Sequence, residues 1–199
     1  MTTTARRTIA AGAVTLLGGA ALWMAALSPA QAAAPTCRGY TATIVGTSGS
    51  DEINGTSGRD VIVALGGHDE IDGNGGNDVI CAGDGNDEVE GGSGNDLIDG
   101  GAGNDDLDGD SGRDDIRGGS GKDEIDGGSG NDLLAGGTNN DKIDGDSGND
   151  KLWGNSGRDF LEGSGGSDKL DGGADADQTY QGSASDSAED RWERTHGRD

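Results

Sequence analysis

The sequence predicts an all-β solenoid, a stack of short strands joined by tight turns. Three observations predict it. From Gly46 to Tyr180 the chain repeats every nine residues, fifteen times, without an insertion or deletion; the clearest copies read GGSGNDLID, GGAGNDDLD and GGSGKDEID, at 91–99, 100–108 and 118–126. With each repeat numbered 1 to 9 from Gly46, the eighth place is aliphatic in fourteen, from Ile53, Ile62, Ile71 and Ile80 to Leu161 and Leu170, and only Thr179 departs. Glycine fills the first and fourth places in thirteen repeats each, the exceptions being Ala64 and Ala82, then Asn139 and Asp175. A fixed period of this length marks a repeat architecture. A Gly/Asp/Ser-rich composition by itself suits a disordered tract, but a disordered linker has no reason to hold an aliphatic residue in one phase.

Within a repeat, the glycine-rich half turns and the last three residues extend. Glycine lets the backbone take φ > 0, which a Cβ resists. The last three residues alternate out, in, out, so only the eighth side chain faces inward. One such residue makes no core. Stacked strands do, because each adds a rung to a continuous Ile/Leu/Val column. The sixth place is Asp in all fifteen repeats: Asp51, Asp60, Asp69, Asp78, Asp87, Asp96, Asp105, Asp114, Asp123, Asp132, Asp141, Asp150, Asp159, Asp168 and Asp177. One Asp in a Gly-rich turn is an ordinary Asx cap. Fifteen in register point to a ligand column.

The pattern GGxGxDxUx resembles the RTX, or haemolysin-type, calcium-binding nonapeptide over residues 46–180. The resemblance implies a right-handed parallel β-roll of about fifteen nonapeptide repeats, two to a coil. It also implies calcium between turns that stack one coil apart, held by the sixth-place Asp and by backbone carbonyls. Carried onto this chain, Asp51 would share an ion with the turn of Asp69, Asp60 with that of Asp78, and so on to Asp168. Carboxylate and carbonyl oxygens suit Ca²⁺ better than Mg²⁺ or Zn²⁺. Odd and even repeats give two ion columns, with room for up to about 13 ions. Asn139 and Asp175 are expected to distort their turns and lower that number.

Residues 1–32 read as a signal peptide. Arg6 and Arg7 precede an apolar run from Ile9 to Leu27, and an Ala30-Gln31-Ala32 cleavage box follows. The small-residue box favours cleavage over a transmembrane anchor, so the chain is expected to be secreted and extracellular, with no membrane span after cleavage. RTX toxins usually leave by a C-terminal signal, so a toxin is not implied. Sec and twin-arginine routes both remain open. Cleavage removes two of fourteen basic residues and none of thirty-eight acidic ones, which leaves a net charge of −26. That charge excludes nucleic-acid binding and opposes compaction. With one aliphatic residue in nine to bury, the calcium-free chain is not expected to offset its backbone entropy. About 13 Ca²⁺ would bring roughly +26. Folding is therefore expected to be calcium-coupled, through weak sites of the extracellular kind, on the order of 10⁻⁴–10⁻³ M.

Residues 33–45 form an N-terminal cap in this reading. Cys37 and Cys81 are the only cysteines, and an exported chain favours their pairing. Extended backward, the register makes Cys37 to Val45 a zeroth repeat with Ile44 inward and Ala42 in place of the ligand Asp. Cys81 lies two coils on. At about 4.8 Å per strand a regular stack holds the two too far apart for a disulfide, so Cys37 must double back over the even-numbered sheet. Val61, Val63 and Val79 stand at outward places beside Cys81, apolar where polar residues belong, as a covering segment using Pro35 and Tyr40 would require.

The outward places of odd repeats are mostly acidic, with Glu52, Glu70, Glu88, Asp106 and Glu124 in one row and Asp72, Glu90, Asp108, Asp126 and Asp144 in the other. Such a face serves solubility. Even repeats show Leu97, Leu133, Lys151, Trp153 and Lys169 outward; Trp153 with Phe160 marks a candidate contact site. Residues 181–199 lose the pattern and read as a degenerate cap or tail, with Trp192 near its end. His68 and His196 lack the companions of a zinc or catalytic site. Repeats occupy 135 of the residues after position 32, no nucleophile–base set is visible, and the chain is not expected to be an enzyme. The leading expectation is a secreted, non-catalytic calcium-binding protein. The alternative is a calcium-stiffened adhesin or surface-interaction module, which chelator would release from the cell surface.

Overall fold

From Ile44 onward eighteen residues separate each pair of stacked strands, two nonapeptides to a coil. In a computed structural model that describes residues 7–10 and 34–182, the odd repeats supply one parallel sheet and the even repeats a second. The rest of the expected signal peptide, and the tail beyond Gly182 with Trp192 and His196, lie outside the described residues. Among the described residues there is no helix. The nine-stranded sheet begins with Arg7–Ala10, continues with Asp51–Asn54 and Glu70–Asp72, and ends on Phe160–Glu162 and Gln178–Tyr180. The eight-stranded sheet runs from Ile44–Val45 and Val61–Val63 to Lys151–Ser156 and Lys169–Asp171.

The period of two within each strand places the eighth residue inside. Ile53, Ile71, Val89 and Leu107 lie in one register, and Ile44, Ile62, Ile80 and Ile98 in the other. Both columns are buried from the first coil to Leu161 and Leu152 and form one continuous core cluster, with Leu170 packed at its end. Ala64 and Ala82, which replace first-place glycine, join that core. Ile44 takes the inward position that the zeroth repeat assigns to it, paired with Ile62.

The N-terminal segment does fold back. Thr36–Cys37 and Tyr40–Thr41 form an antiparallel hairpin whose two turn residues, Arg38 and Gly39, take φ of 47° and 90°, the left-handed pair that a two-residue hairpin needs. Cys37 is joined to Cys81 with a Cα–Cα distance of 5.7 Å. Around the disulfide, Cys37, Val61, Val63 and Val79 make a second apolar cluster, with Ala42, Cys81 and Leu97 against it. Tyr40 is not part of that cover. It is exposed and lies under the Arg59 guanidinium, 4.5 Å from ring centroid to Cζ. Arg38 extends the cover instead. Its guanidinium donates to Asp115 Oδ1 at 3.0 Å and to the Ile98 carbonyl at 3.1 Å, and it lies 3.6 Å from Asp99. Trp153 and Phe160 sit on different sheets; Phe160 stacks with Tyr180 at 5.2 Å, so the pair does not form one contact site.

Candidate metal centre

The site is built from the turns. Every sixth-place Asp falls in one of two columns, Asp51, Asp69, Asp87 and onward in the odd turns, and Asp60, Asp78, Asp96 and onward in the even. The thirteen from Asp51 to Asp159 are buried, Asp168 is half-buried, and Asp177 at the last coil is half-buried as well. From Asp69 to Asp177 one carboxylate oxygen of each has a structural duty. Oδ1 of Asp69 accepts the backbone N–H of Asp51 at 2.8 Å, Oδ1 of Asp78 that of Asp60 at 2.7 Å, and the relation repeats to Asp177 accepting from Asp159 at 3.0 Å. The carboxylate thus clips each turn to the one before it. That bond, neutral donor to anion, is stronger than an ordinary amide pair.

The other oxygen has no such duty. Oδ2 is buried and without a hydrogen-bond partner in Asp69, Asp78, Asp87, Asp96, Asp105, Asp114, Asp123, Asp132, Asp141, Asp150 and Asp159. A buried anionic oxygen with nothing to neutralise it is costly, and proteins resolve that cost by protonation or by a cation. Burial accordingly pushes the carboxyls of Asp105, Asp114 and Asp141 up to about 7 and those of Asp69, Asp96 and Asp150 up to about 6; the backbone N–H each accepts works in the opposite direction, and neighbouring Asp carboxylates one coil away add to the rise.

Backbone oxygens converge on the same place. The point a Cβ on Gly109 would occupy lies 2.8 Å from Asp114 Oδ2 and 2.8 Å from the carbonyl oxygen of Gly127 one coil on. At Gly109 space therefore favours glycine, since a side chain would press into the cradle between a carboxylate and a carbonyl, whereas Ala64 and Ala82 carry a Cβ at the same place and pack in the core. The fourth place is demanded by both space and conformation. Gly103 has φ of 145°, and a Cβ there would stand 1.4 Å from the Gly85 carbonyl, which points up the stack at the next turn. Asn139 and Asp175, expected to distort their turns, remain in the left-handed region but at φ of 82° and 87°, away from the 132–155° of the fourth-place glycines with positive φ. The sequence places positive φ in the glycine-rich half of the repeat without saying at which places. The structure puts it at the second and fourth, and from Leu65 to Gly173 every second-place residue is left-handed.

Asp51 and Asp60 are different. Oδ2 of Asp51 accepts the Thr47 backbone N–H at 2.6 Å and its hydroxyl at 2.9 Å, and Oδ2 of Asp60 accepts the same two groups of Thr56 at 2.7 and 2.8 Å. A second ladder, at the fifth place, escaped the sequence reading. Asn77 Oδ1 accepts the backbone N–H of Asn95, Asn86 that of Asn104, and Asn131 that of Asn149, at 2.8–2.9 Å. His68 belongs to it as well, its Nδ1 accepting from Asn86 N–H. The recurrent Asn at the fifth place was the signal.

Among the described residues no three His, Cys, Asp or Glu side chains converge on one point, so any ion held in these turns must take backbone carbonyls as well as carboxylates. That donor set is all oxygen and suits a large, hard cation. A parallel solenoid whose turns carry columns of buried, half-satisfied carboxylates beside carbonyls has the architecture of a calcium-binding β-roll. The family model of the RTX calcium-binding nonapeptide repeat, in four copies, matches residues 45–80, 82–116, 109–143, 117–152, 144–179 and 153–186. The chain belongs to that family, and its repeats bind calcium. Among curated proteins none matches it.

Proposed function

We propose that this is a secreted, non-catalytic calcium-binding protein whose roll assembles as calcium enters the turns. One observation carries the proposal: eleven buried Asp Oδ2 atoms in register, each without a hydrogen-bond donor. Asp69 through Asp159 would hold the ions together with turn carbonyls, and Asp168 would continue the even column. The ion supplies positive charge; the chain supplies the spacing, the carboxylates and the close approach that glycine permits. Without the ion, two terms oppose folding. Buried carboxylates sit one coil apart in like-charged columns, and beyond the first coils most nonapeptides have a single aliphatic side chain to bury against the entropy of nine residues.

Export fits that chemistry. A signal peptide over residues 1–32, ending in the Ala30-Gln31-Ala32 cleavage box, would send the chain to a compartment where disulfides persist and millimolar calcium saturates weak sites. Among the described residues no helix is long and apolar enough to cross a membrane. Isothermal titration with Ca²⁺ and Mg²⁺, read beside circular dichroism, tests the proposal. Calcium is expected to bind at many sites and to raise the β signal, with Mg²⁺ far weaker. A spectrum unchanged by calcium overturns it.

A further inference from the structure

We propose that Thr47 and Thr56 hold Asp51 and Asp60 without metal, making the first coil a disulfide-locked seed on which the calcium-dependent coils assemble toward the C-terminus. This rests on the calcium reading above and assigns two of the columns' own members out of it.

Four observations meet at this end of the roll. The carboxylate oxygen that stands alone in the buried Asp residues that follow is doubly occupied in Asp51 and Asp60, by the amide and hydroxyl of a threonine four residues earlier. Each hydroxyl also accepts the backbone N–H two residues on, Gly49 for Thr47 and Gly58 for Thr56, both at 3.2 Å, which fixes the turn as a side-chain-capped one. The backbone agrees. Of the fifteen second-place residues, only Thr47 and Thr56 are outside the left-handed region. An ordinary L residue meets no conformational penalty there, whereas the later turns take φ > 0 at both the second place and, in nearly all of them, the fourth.

The remaining stabilisation at this end is also independent of a cation. The Cys37–Cys81 disulfide ties the hairpin to the strand Val79–Asp84. The second apolar cluster lies directly beneath it. Thr43 accepts the Val61 N–H at 2.8 Å and donates to the Val61 carbonyl at 3.2 Å, locking the zeroth repeat to the second. At the other end, Lys169–Asp171 and Gln178–Tyr180 are only partly covered, and neither a disulfide nor a threonine cap stands there among the described residues. Stability that needs no metal is thus concentrated in the first coils, and the coil clipped to them through Asp69 and Asp78 presents its own amides as a formed edge for the next coil to add to.

The test combines amide hydrogen exchange with calcium stoichiometry on the oxidised protein recovered after export. In chelator, amides between residues 43 and 63 are expected to be protected, and those beyond about residue 90 to exchange freely. Calcium should then extend protection through the later repeats. The double variant Thr47→Gly and Thr56→Gly, which installs the residue that Gly83, Gly92 and Gly101 place there, is expected to lose the chelator-resistant protection and to bind one or two more ions than the wild type. Thr47→Ser with Thr56→Ser keeps both hydroxyls and should behave as wild type, which separates loss of the cap from simple misfolding. An unprotected first coil in chelator, or equal stoichiometry in the glycine variant and wild type, overturns the proposal. Failure of the wild type to bind calcium at all overturns the calcium reading instead, and leaves chelator-resistant protection of the first coil as the separate readout of the threonine caps.

Discussion

From Asp69 to Asp159 each sixth-place Asp divides its two oxygens between two tasks, and its behaviour follows from that division. Oδ1 accepts the amide one coil back; Oδ2 of Asp69 to Asp159 is buried without a hydrogen-bond donor, the place where a bound cation would sit. Replacing Asp105 by Asn keeps an oxygen to accept from Asp87 N–H but puts an NH₂ donor where the ligand oxygen was. Titration calorimetry on Asp105→Asn should show about one ion fewer with the remaining sites intact; an unchanged stoichiometry would remove Asp105 from the ligand set. Protonation acts on the same atoms. The carboxyls of Asp105, Asp114 and Asp141 stand at about 7 in the fold, above the roughly 3.9 of an unfolded Asp, raised by burial and by the Asp one coil to either side. A raised acid stabilises the fold in its protonated form, so this contribution is fully present below about pH 4 and is lost as pH rises through 6 and 7. Chelator-treated protein should therefore show more β structure at pH 5 than at pH 8, and calcium affinity should fall over the same interval as protons compete. A flat dichroism profile in chelator between those values contradicts the assignment.

At the scale of the strand, stability comes from one inward side chain per rung. Leu107 is fully buried between Val89 and Ile125. Leu107→Ala should lower the calcium-loaded stability by about 2–5 kcal/mol in denaturant melts, and a change under about 1 kcal/mol would mean the column does not bear the roll. The Cys37–Cys81 link closes 44 residues of chain, and its reduction should cost about 4 kcal/mol by the loop-entropy relation, read as a fall in the unfolding midpoint. Much of this scale was legible in the sequence. The invariant spacing of Ile and Leu fixed which residue faces inward, and the three outward valines required the hairpin that folds back to Cys81. What escaped detection was what differs between repeats. Thr47 and Thr56 occupy an unremarkable second place, and only the turn conformation reveals that their hydroxyls reach the carboxylate four residues on. The Asn ladder was visible as a recurrence, but its bonds run between coils, a neighbourhood that a linear repeat does not display.

For the whole molecule the governing quantity is charge. The chain carries a formal net charge of −24. Glu52, Glu70, Glu88, Asp106 and Glu124 stack in register along the outer face of the odd sheet, where like charges on adjacent strands repel. Burial also holds Asp126 on that face up to about 6. Lys142 relieves the row at one point, pairing with Glu124. Two features of the chain therefore favour cations, the unpartnered carboxylate oxygens inside the turns and like-charge repulsion on the outer face, but only the turns offer carbonyls aimed at the same point. The distinction makes the location of calcium, rather than its amount, the decisive observation. Diffraction from calcium-loaded crystals, recorded where calcium scatters anomalously, should place the ions between successive turns in two columns, in contact with Oδ2 of Asp69 to Asp159 and absent beside Asp51 and Asp60. Anomalous peaks confined to the acidic outer face, with the turn carboxylates uncoordinated, would contradict it.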